Sequence, residues 1–153
     1  MIKRVLAVIL CVFICLCAVG CTGEETTLKK FYDKVSENKL LLDLLAEKVY
    51  SDGRELFGSD GFGGSIQDAM RSAQSDRADD IKEIKAADNE IVEIFRSVRK
   101  SKYSELTKKV MDAYSAYLEA VTDVSETFES YLDVTRSLKK ELERLLRELS
   151  YEL

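Results

Sequence analysis

The fold is decided by residues 28–49, LKKFYDKVSENKLLLDLLAEKV, in which apolar side chains recur every three or four positions. The recurring positions are Leu28, Phe31, Val35, Leu42, Leu45 and Val49. Asn38 is the polar member of the same series. This spacing places them on one face of an α-helix. Because Thr26 or Thr27 can cap its start and Asp52-Gly53 can end it, we predict a first helix over about 27–52.

Two longer helical segments follow a glycine-rich connection over residues 53–64. The second helix, predicted over about 65–100, carries Arg77 and Asp80 on an otherwise mostly apolar face. A shift of the apolar phase near Lys100 to Lys102 predicts a break, and a third helix then covers about 103–151. The chain has no proline to interrupt these helices. Since short connections make successive helices antiparallel, we predict an all-α fold, an antiparallel three-helix bundle of unequal long helices.

The glycine-rich connection invites comparison with ligand-binding loops. Residues 58–64, GSDGFGG, lack the Lys-Ser/Thr pair of a phosphate-binding loop and the repeated acidic ligands of a calcium-binding loop. Clusters of glycine usually serve turns, so we interpret this segment as a plain connection between helices.

The opening of the chain has the layout of a secretory signal. Lys3 and Arg4 precede an apolar run from Val5 to Val19. Ala18-Val19-Gly20-Cys21 resembles the lipobox of bacterial lipoprotein precursors, although that family more often has leucine where Ala18 stands. The resemblance implies cleavage before Cys21 and attachment of a diacylglyceryl group to its thiol. The expected domains are a signal peptide (1–20), a lipid-anchored tether (21–26) and a helical bundle (27–153).

This resemblance implies a protein held by membrane lipid on the extracytoplasmic face of a cell membrane. The alternatives are a transmembrane anchor and a soluble secreted product. The apolar run has 15 residues, whereas a helix needs roughly 20 to cross a bilayer core. A signal peptidase site without lipidation would not require the cysteine at position 21. Lipidation is therefore the favoured interpretation.

Composition narrows the function classes. Cleavage would remove two of the 23 basic residues and none of the 28 acidic ones, which changes the net charge from −5 to −7. Such a charge argues against a nucleic-acid partner. The mature chain would keep one cysteine, Cys21, and the sequence has no histidine. We therefore assign no catalytic residue, no cofactor-binding residue and no metal ligand.

These features favour a non-catalytic interaction or scaffolding module whose partner is a protein or a cell-wall component. One alternative is a helical sensor or accessory subunit of a membrane protein complex. Another is a cell-wall enzyme that uses two carboxylates, for which Asp79, Asp80 and Glu83 would be candidates. Nothing in the sequence separates those acids from ordinary surface charge.

Pairing the predicted helices as antiparallel neighbours on either side of each connection indicates which residues lie at the same level. This pairing suggests one site inside the bundle and one site at its end. Asn38, Arg77 and Asp80 are expected to meet as a buried polar layer that fixes the register of the helices. The alternative is that Arg77 and Asp80 turn outward and form a surface pair that contributes little. The turn between the second and third helices is expected to project about 12 residues, or about 18 Å, past the start of the first helix toward the lipid. Its bases form a predicted membrane-facing basic tip: Arg96, Arg99, Lys100, Lys102, Lys108 and Lys109. The alternative is an ordinary solvated turn.

In the same pairing, the C-terminal end of the predicted third helix extends past the N-terminal end of the second helix. Leucines from Leu138 to Leu149 would then lack a cover. Two covers are considered. The glycine-rich loop can fold over them with Leu56, Phe57 and Phe62, or a second copy of the chain can pair there as a homodimer.

Overall fold

The structure is a computed structural model that describes residues 2–124 and 127–153, with side chains from residue 23 onward. Its helices are α1 (Ile2–Phe57), α2 (Ile66–Ser75), α3 (Ala78–Val98), α4 (Ser104–Thr122) and α5 (Phe128–Ser150). Helices are the only regular elements in the described part of the chain, so the predicted all-α class is confirmed. The lipobox-like residues Ala18 to Cys21, including the predicted attachment site Cys21, lie outside the residues whose side chains are described.

The predicted second helix is interrupted. Helix α2 ends at Ser75 and α3 begins at Ala78, with Arg77 at φ −107° and ψ 22° between them. The apolar stripe holds charged residues at this point, so no core contact keeps one helix straight through it. Arg77 instead reaches across to α1, where its Nε and Nη2 atoms donate to Oδ2 of Asp52 at 3.2 and 2.6 Å.

The predicted third helix is wrong, because residues 103–151 form two helices that fold back on each other. Helix α4 ends at Thr122, and Asp123 is extended at φ −126° and ψ 91°. Thr127 then caps α5, with its Oγ1 accepting from the backbone N–H of Ser130 at 3.4 Å. Helices α4 and α5 run in opposite directions on either side of residues 123–127, a segment whose sequence contains neither glycine nor proline. The bundle therefore has four helical segments side by side, which we call legs, instead of the three predicted.

Contacts between side chains give the direction of each leg relative to α1. Pairs of Lys34 with Glu90 (3.1 Å) and Lys48 with Asp80 (3.8 Å) make α3 antiparallel to α1. Hydrogen bonds from Asn38 to Tyr114 and from Tyr117 to Asp43 make α4 parallel to it. Ion pairs of Lys39 with Glu143 and of Asp43 with Lys139 make α5 antiparallel. The order is up, down, up, down, with α2 and α3 sharing the second leg.

The apolar face predicted for the first helix is the centre of the core. Each of its apolar members is at most 1% exposed: Leu28, Phe31, Val35, Leu42, Leu45 and Val49. They pack against Met70 of α2, Ile84 and Ile91 of α3, Tyr114 and Tyr117 of α4, and Leu142 and Leu149 of α5. Helix α1 contacts every other helix, and it is therefore the hub of the bundle.

The leucines at the end of the chain are covered within the chain itself. Leu142, Leu145, Leu146 and Leu149 are buried because α5 folds back along α1 and α4. The bare leucine surface expected over Leu138 to Leu149 does not exist in this fold, so the reason for a homodimer there is removed. The glycine-rich loop does not cover these leucines either.

The residues of that loop close the opposite end of the bundle. Phe57 meets Phe62 and Phe128 with ring centroids 6.5 and 6.0 Å apart, and Tyr50 also meets Phe128 edge to face. Gly53 lies inside this contact, where an added Cβ would come within 2.8 Å of Met70 Sδ and 3.2 Å of Phe128 Cε1. A side chain at this position would require the side chains of Met70 and Phe128 to move. Within residues 23–124 and 127–153, no helical stretch has the length and apolar composition needed to cross a membrane.

Candidate functional site: a charged groove between α1 and α5

A groove of about 340 Å³ runs between α1 and α5. Its lining residues are Asp43, Ala46, Glu47 and Tyr50 of α1, Tyr117 of α4, and Leu132, Thr135, Arg136 and Lys139 of α5. The small side chain of Ala46 lies between larger neighbours and leaves room for the depression. The hydroxyl of Thr135 is turned back onto its own helix, where it donates to the carbonyl oxygen of Tyr131 at 2.7 Å. We call this feature the Asp43 groove.

At the inner end of the groove, Asp43 accepts hydrogen bonds from three helices. Its Oδ1 atom accepts from Tyr117 Oη at 2.8 Å. Its Oδ2 atom accepts from Lys39 Nζ at 2.8 Å and from Lys139 Nζ at 3.0 Å. Lys39 also pairs with Glu143 at 2.8 Å. The carboxylates of Asp43 and Glu143 thus balance the ammonium groups of Lys39 and Lys139. We call these four residues, together with Tyr117, the Asp43 cluster, which joins α1, α4 and α5.

The pKa values of Asp43, Lys39 and Tyr117 are shifted in directions that keep these three groups in their usual protonation states. Burial alone would raise the pKa of Asp43, but the bonds from Lys39, Lys139 and Tyr117 hold that pKa below its ordinary value. Burial alone would lower the pKa of Lys39, yet its bonds to Asp43 and Glu143 raise it. Burial and the nearby Asp43 carboxylate raise the pKa of the Tyr117 phenol. None of these groups is set to exchange a proton near neutral pH, so the cluster is suited to holding charge and shape.

The rims of the groove differ from its inner end. Glu47 on α1 and Arg136 on α5 are exposed, and among the described residues neither makes an ion pair or hydrogen bond. The antiparallel pairing of α1 with α5 brings Arg136 to about the level of Ala46 and Glu47. One acid and one base therefore flank the same stretch of groove without a partner.

The predicted polar layer is only partly assembled. Asn38 is buried, and its Nδ2 atom donates to Tyr114 Oη at 2.6 Å and to the carbonyl oxygen of Ile84 at 3.1 Å. It thereby joins α1, α3 and α4. The Oδ1 atom of Asn38 is buried without a partner among the described residues. Burial and the neighbouring Asp88 carboxylate raise the pKa of Tyr114, so that its hydroxyl stays protonated.

Arg77 and Asp80, the other predicted members of that layer, lie elsewhere. Arg77 binds Asp52, and Asp80 pairs with Lys48 at 3.8 Å on the half-exposed outer edge between α1 and α3. Arg77 and Asp80 miss Asn38 because the register between α1 and α3 differs from the predicted one. Helix α1 continues to Phe57, which shifts α3 along α1. Asn38 is consequently level with Ile84 rather than with Arg77.

The predicted basic tip is exposed in the structure. All six bases are on the surface around the α3–α4 turn: Arg96, Arg99, Lys100, Lys102, Lys108 and Lys109. Arg96 pairs with Glu93 at 2.5 Å, and the Lys102 ammonium lies 4.7 Å from the centroid of the Tyr103 ring.

The tip projects less than expected. The rings of Phe31 and Phe95 are in contact, with centroids 5.9 Å apart. Counting four residues along each antiparallel helix from this contact brings Thr27 level with about Arg99. The turn therefore ends near the level of Thr27 and does not extend 12 residues past it. The same end of the bundle holds the C-terminal end of α5.

Sequence reasoning missed the Asp43 groove for a specific reason. Lys39 and Asp43, four residues apart on α1, look like an ordinary surface pair, and Tyr117 looks like core. Lys139 and Glu143 reach them only because α5 folds back. In the described part of the chain, no group of three acids or cysteines is placed to hold a metal ion. Comparisons of the chain with protein families, with curated proteins and with solved structures found no match.

Proposed function

We propose that this protein is a lipid-anchored lipoprotein on the extracytoplasmic face of a membrane, and that its helical bundle is a non-catalytic binding module. The observation that carries the anchor is the basic and apolar opening of the chain that ends in Ala18-Val19-Gly20-Cys21. Two acyl chains suffice for stable anchoring, since each buried methylene contributes about 0.8 kcal/mol. The membrane partner is lipid, and the bundle binds a protein or a cell-wall component.

The arrangement of the bundle supports this proposal. The α3–α4 turn is near the level of Thr27, a few residues after Cys21. An acyl chain on Cys21 would bring this end of the bundle close to the membrane surface. The basic tip at the same end would then meet anionic headgroups, where each base contributes about 1 kcal/mol at low salt. The Asp43 groove lies toward the middle of the bundle, so it would stay accessible from the aqueous side.

The chemistry of the groove supports binding rather than catalysis. Asp43 already accepts three hydrogen bonds, and Tyr117 and Lys39 keep their protons. A general acid or base needs a pKa near the working pH, and the shifts in this cluster run the other way. The bundle therefore offers a shaped, charged surface instead of reactive groups.

The alternative of a sensor or accessory subunit differs in its partner. Crosslinking of the protein on intact cells, followed by identification of what is captured, separates the two. Recovery of a single membrane protein supports the accessory role, whereas recovery of wall polymer supports the binding module.

The anchor is tested by substitution of Cys21 with serine. The Cys21→Ser protein should remain uncleaved or become soluble, and it should no longer partition into the detergent phase on phase separation. Cys17→Ser is the matched control, because this cysteine lies in the segment that cleavage removes. That variant should be processed and anchored like the wild type. A Cys21→Ser protein that is cleaved and membrane-bound as before would refute the acyl anchor.

A further inference from the structure

The rims of the Asp43 groove carry two charges that the fold does not use. Around the inner end, every charged side chain is paired, as in the contacts of Lys39 with Glu143 and of Lys139 with Asp43. Glu47 and Arg136 stand on opposite walls of the same groove, and among the described residues neither has an ionic partner. If they pair with each other transiently, the pair is exposed and contributes little. A ligand with matching charges could therefore displace it readily.

The floor between these rims is largely apolar. Ala46 and Leu132 line it, and the ring of Tyr50 borders it. The volume of about 340 Å³ is at the lower end of the range of roughly 300–1,000 Å³ that small-molecule sites occupy. Such a space accepts a small ligand with an apolar body.

The charges that line the groove select among small ligands. Asp43 and Glu47 are balanced by Arg136 and Lys139, so the lining has no net charge. A simple anion would satisfy Arg136 while leaving Glu47 close to a like charge, and a simple cation would do the reverse. A ligand that carries an ammonium group and a carboxylate, together with an apolar side chain for the floor, satisfies both rims at once.

We infer that the Asp43 groove binds a zwitterionic ligand of the amino acid or short peptide class. Glu47 receives its ammonium group, and the guanidinium of Arg136 receives its carboxylate, for which its planar pair of donors is well suited. The apolar side chain of the ligand rests on Ala46 and Leu132. This inference rests on the proposed role of the bundle as a binding module and is independent of the lipid anchor.

The probe is the dipeptide leucyl-leucine, titrated calorimetrically into the full-length protein in detergent. Two blocked forms accompany it, N-acetyl-leucyl-leucine and leucyl-leucine amide. The unblocked dipeptide should bind, and blocking either end should weaken its affinity about tenfold, because each block removes one charge that a rim residue recognises.

Substitutions assign each end of the ligand to its rim. Glu47→Gln should weaken the unblocked dipeptide about tenfold and should not weaken the N-acetylated form. Arg136→Gln should weaken the unblocked dipeptide and should not weaken the amide. Glu55→Gln on α1 and Arg147→Gln on α5 are matched controls, since both residues are exposed and unpaired among the described residues. Ala46→Leu should abolish binding while circular dichroism still shows a folded helical protein.

Three results would overturn the inference. The first is absence of binding by all three peptides. The second is binding that Glu47→Gln and Arg136→Gln affect no more than their controls do. The third is dependence on Arg136 alone, which would describe a site for organic anions. Membrane partitioning of the same preparations is measured separately, so loss of the anchor in Cys21→Ser with intact dipeptide binding would refute the anchor and leave this inference standing.

Discussion

Tyr117 and Asp43, separated by 74 positions in the chain, are joined by a hydrogen bond of 2.8 Å from the phenol to the carboxylate. Tyr131, on the neighbouring helix, is also buried, but its hydroxyl has no partner among the described residues. The same substitution should therefore have different effects at the two positions. A buried hydroxyl contributes to stability only when its hydrogen bond is made.

We expect Tyr117→Phe to lower the free energy of unfolding by about 1–2 kcal/mol, because it leaves one lone pair of the Asp43 carboxylate unsatisfied. Tyr131→Phe should be neutral or should raise that free energy by up to about 1 kcal/mol, because it removes a polar atom that burial had left unpaired. Urea denaturation followed by circular dichroism measures both. Equal losses at the two positions would contradict the difference in hydrogen bonding between the Tyr117 and Tyr131 hydroxyls.

The Asp43 cluster should make stability depend on pH in the acid range. The pKa of Asp43 is lower in the folded protein than in the unfolded chain. Its contribution is therefore complete above the ordinary carboxyl pKa of about 4 and disappears as pH falls through the lower folded value. We expect Asp43→Asn to be less stable than the wild type near neutral pH, with a difference that shrinks below about pH 4.

Asp33→Asn is the matched control for this acid titration. Asp33 is on the same helix, and its contact with Lys29 is exposed and 4.0 Å long. Exposed pairs of this kind contribute little, so the variant should follow the wild type within about 0.5 kcal/mol. A stability difference between Asp43→Asn and wild type that persists unchanged down to acid pH would show that charge at Asp43 is not its source.

Asn38 and Tyr114 should be energetically coupled. Asn38→Leu leaves the Tyr114 hydroxyl without its 2.6 Å partner inside the bundle, and Tyr114→Phe leaves the amide with one bond fewer. Replacing both removes donor and acceptor together, so we expect the double variant to be about 1 kcal/mol more stable than the sum of the single effects predicts. A double-mutant cycle of unfolding free energies provides the measurement. Strict additivity would indicate that the two groups do not interact in solution.

The basic tip should bind anionic membranes when the anchor is absent. A protein that starts at Thr22, and so lacks both the apolar segment and the acyl chain, should bind vesicles that contain phosphatidylserine at low salt, and binding should weaken as salt screens the charges. Reversal of Arg99, Lys100 and Lys102 to glutamate should abolish it. Reversal of Arg71, Lys82 and Lys85 changes the net charge equally and is the control, because these exposed bases lie away from the tip. If both triple variants bind alike, or if the unsubstituted protein does not bind, the tip has no role at the membrane.

Periodicity alone predicted the central helix well. Every apolar member of the stripe from Leu28 to Val49 is in the core, and the polar member, Asn38, is buried with them. These positions were readable because local spacing on one helix determines which side chains share a face. The register between helices was predicted less well, because it depends on where α1 ends. The glycines after Asp52 suggested an end several residues before Phe57.

The fold-back of α5 could not be read from the same signal. The apolar positions on either side of the connection, Val121, Val124, Phe128 and Tyr131, are all buried. They fit a continuous helix as well as a hairpin, and neither glycine nor proline marks the turn between them. The Asp43 groove depends on that hairpin, because it brings Lys139 to Asp43. The groove could therefore not be predicted for the same reason as the fourth leg: the apolar pattern does not show that α5 folds back.

Helix α5 is synthesised after α1 to α4, and it contacts α1, the first described helix. A product that stopped before Phe128 would leave Leu42, Val49 and Tyr117 without one of their covering legs, and Asp43 and Lys39 without their partners on α5. Such a fragment would present an apolar surface that proteases and holding chaperones recognise. A copy of the chain can therefore cover the apolar face of α1 only after α5 has been made.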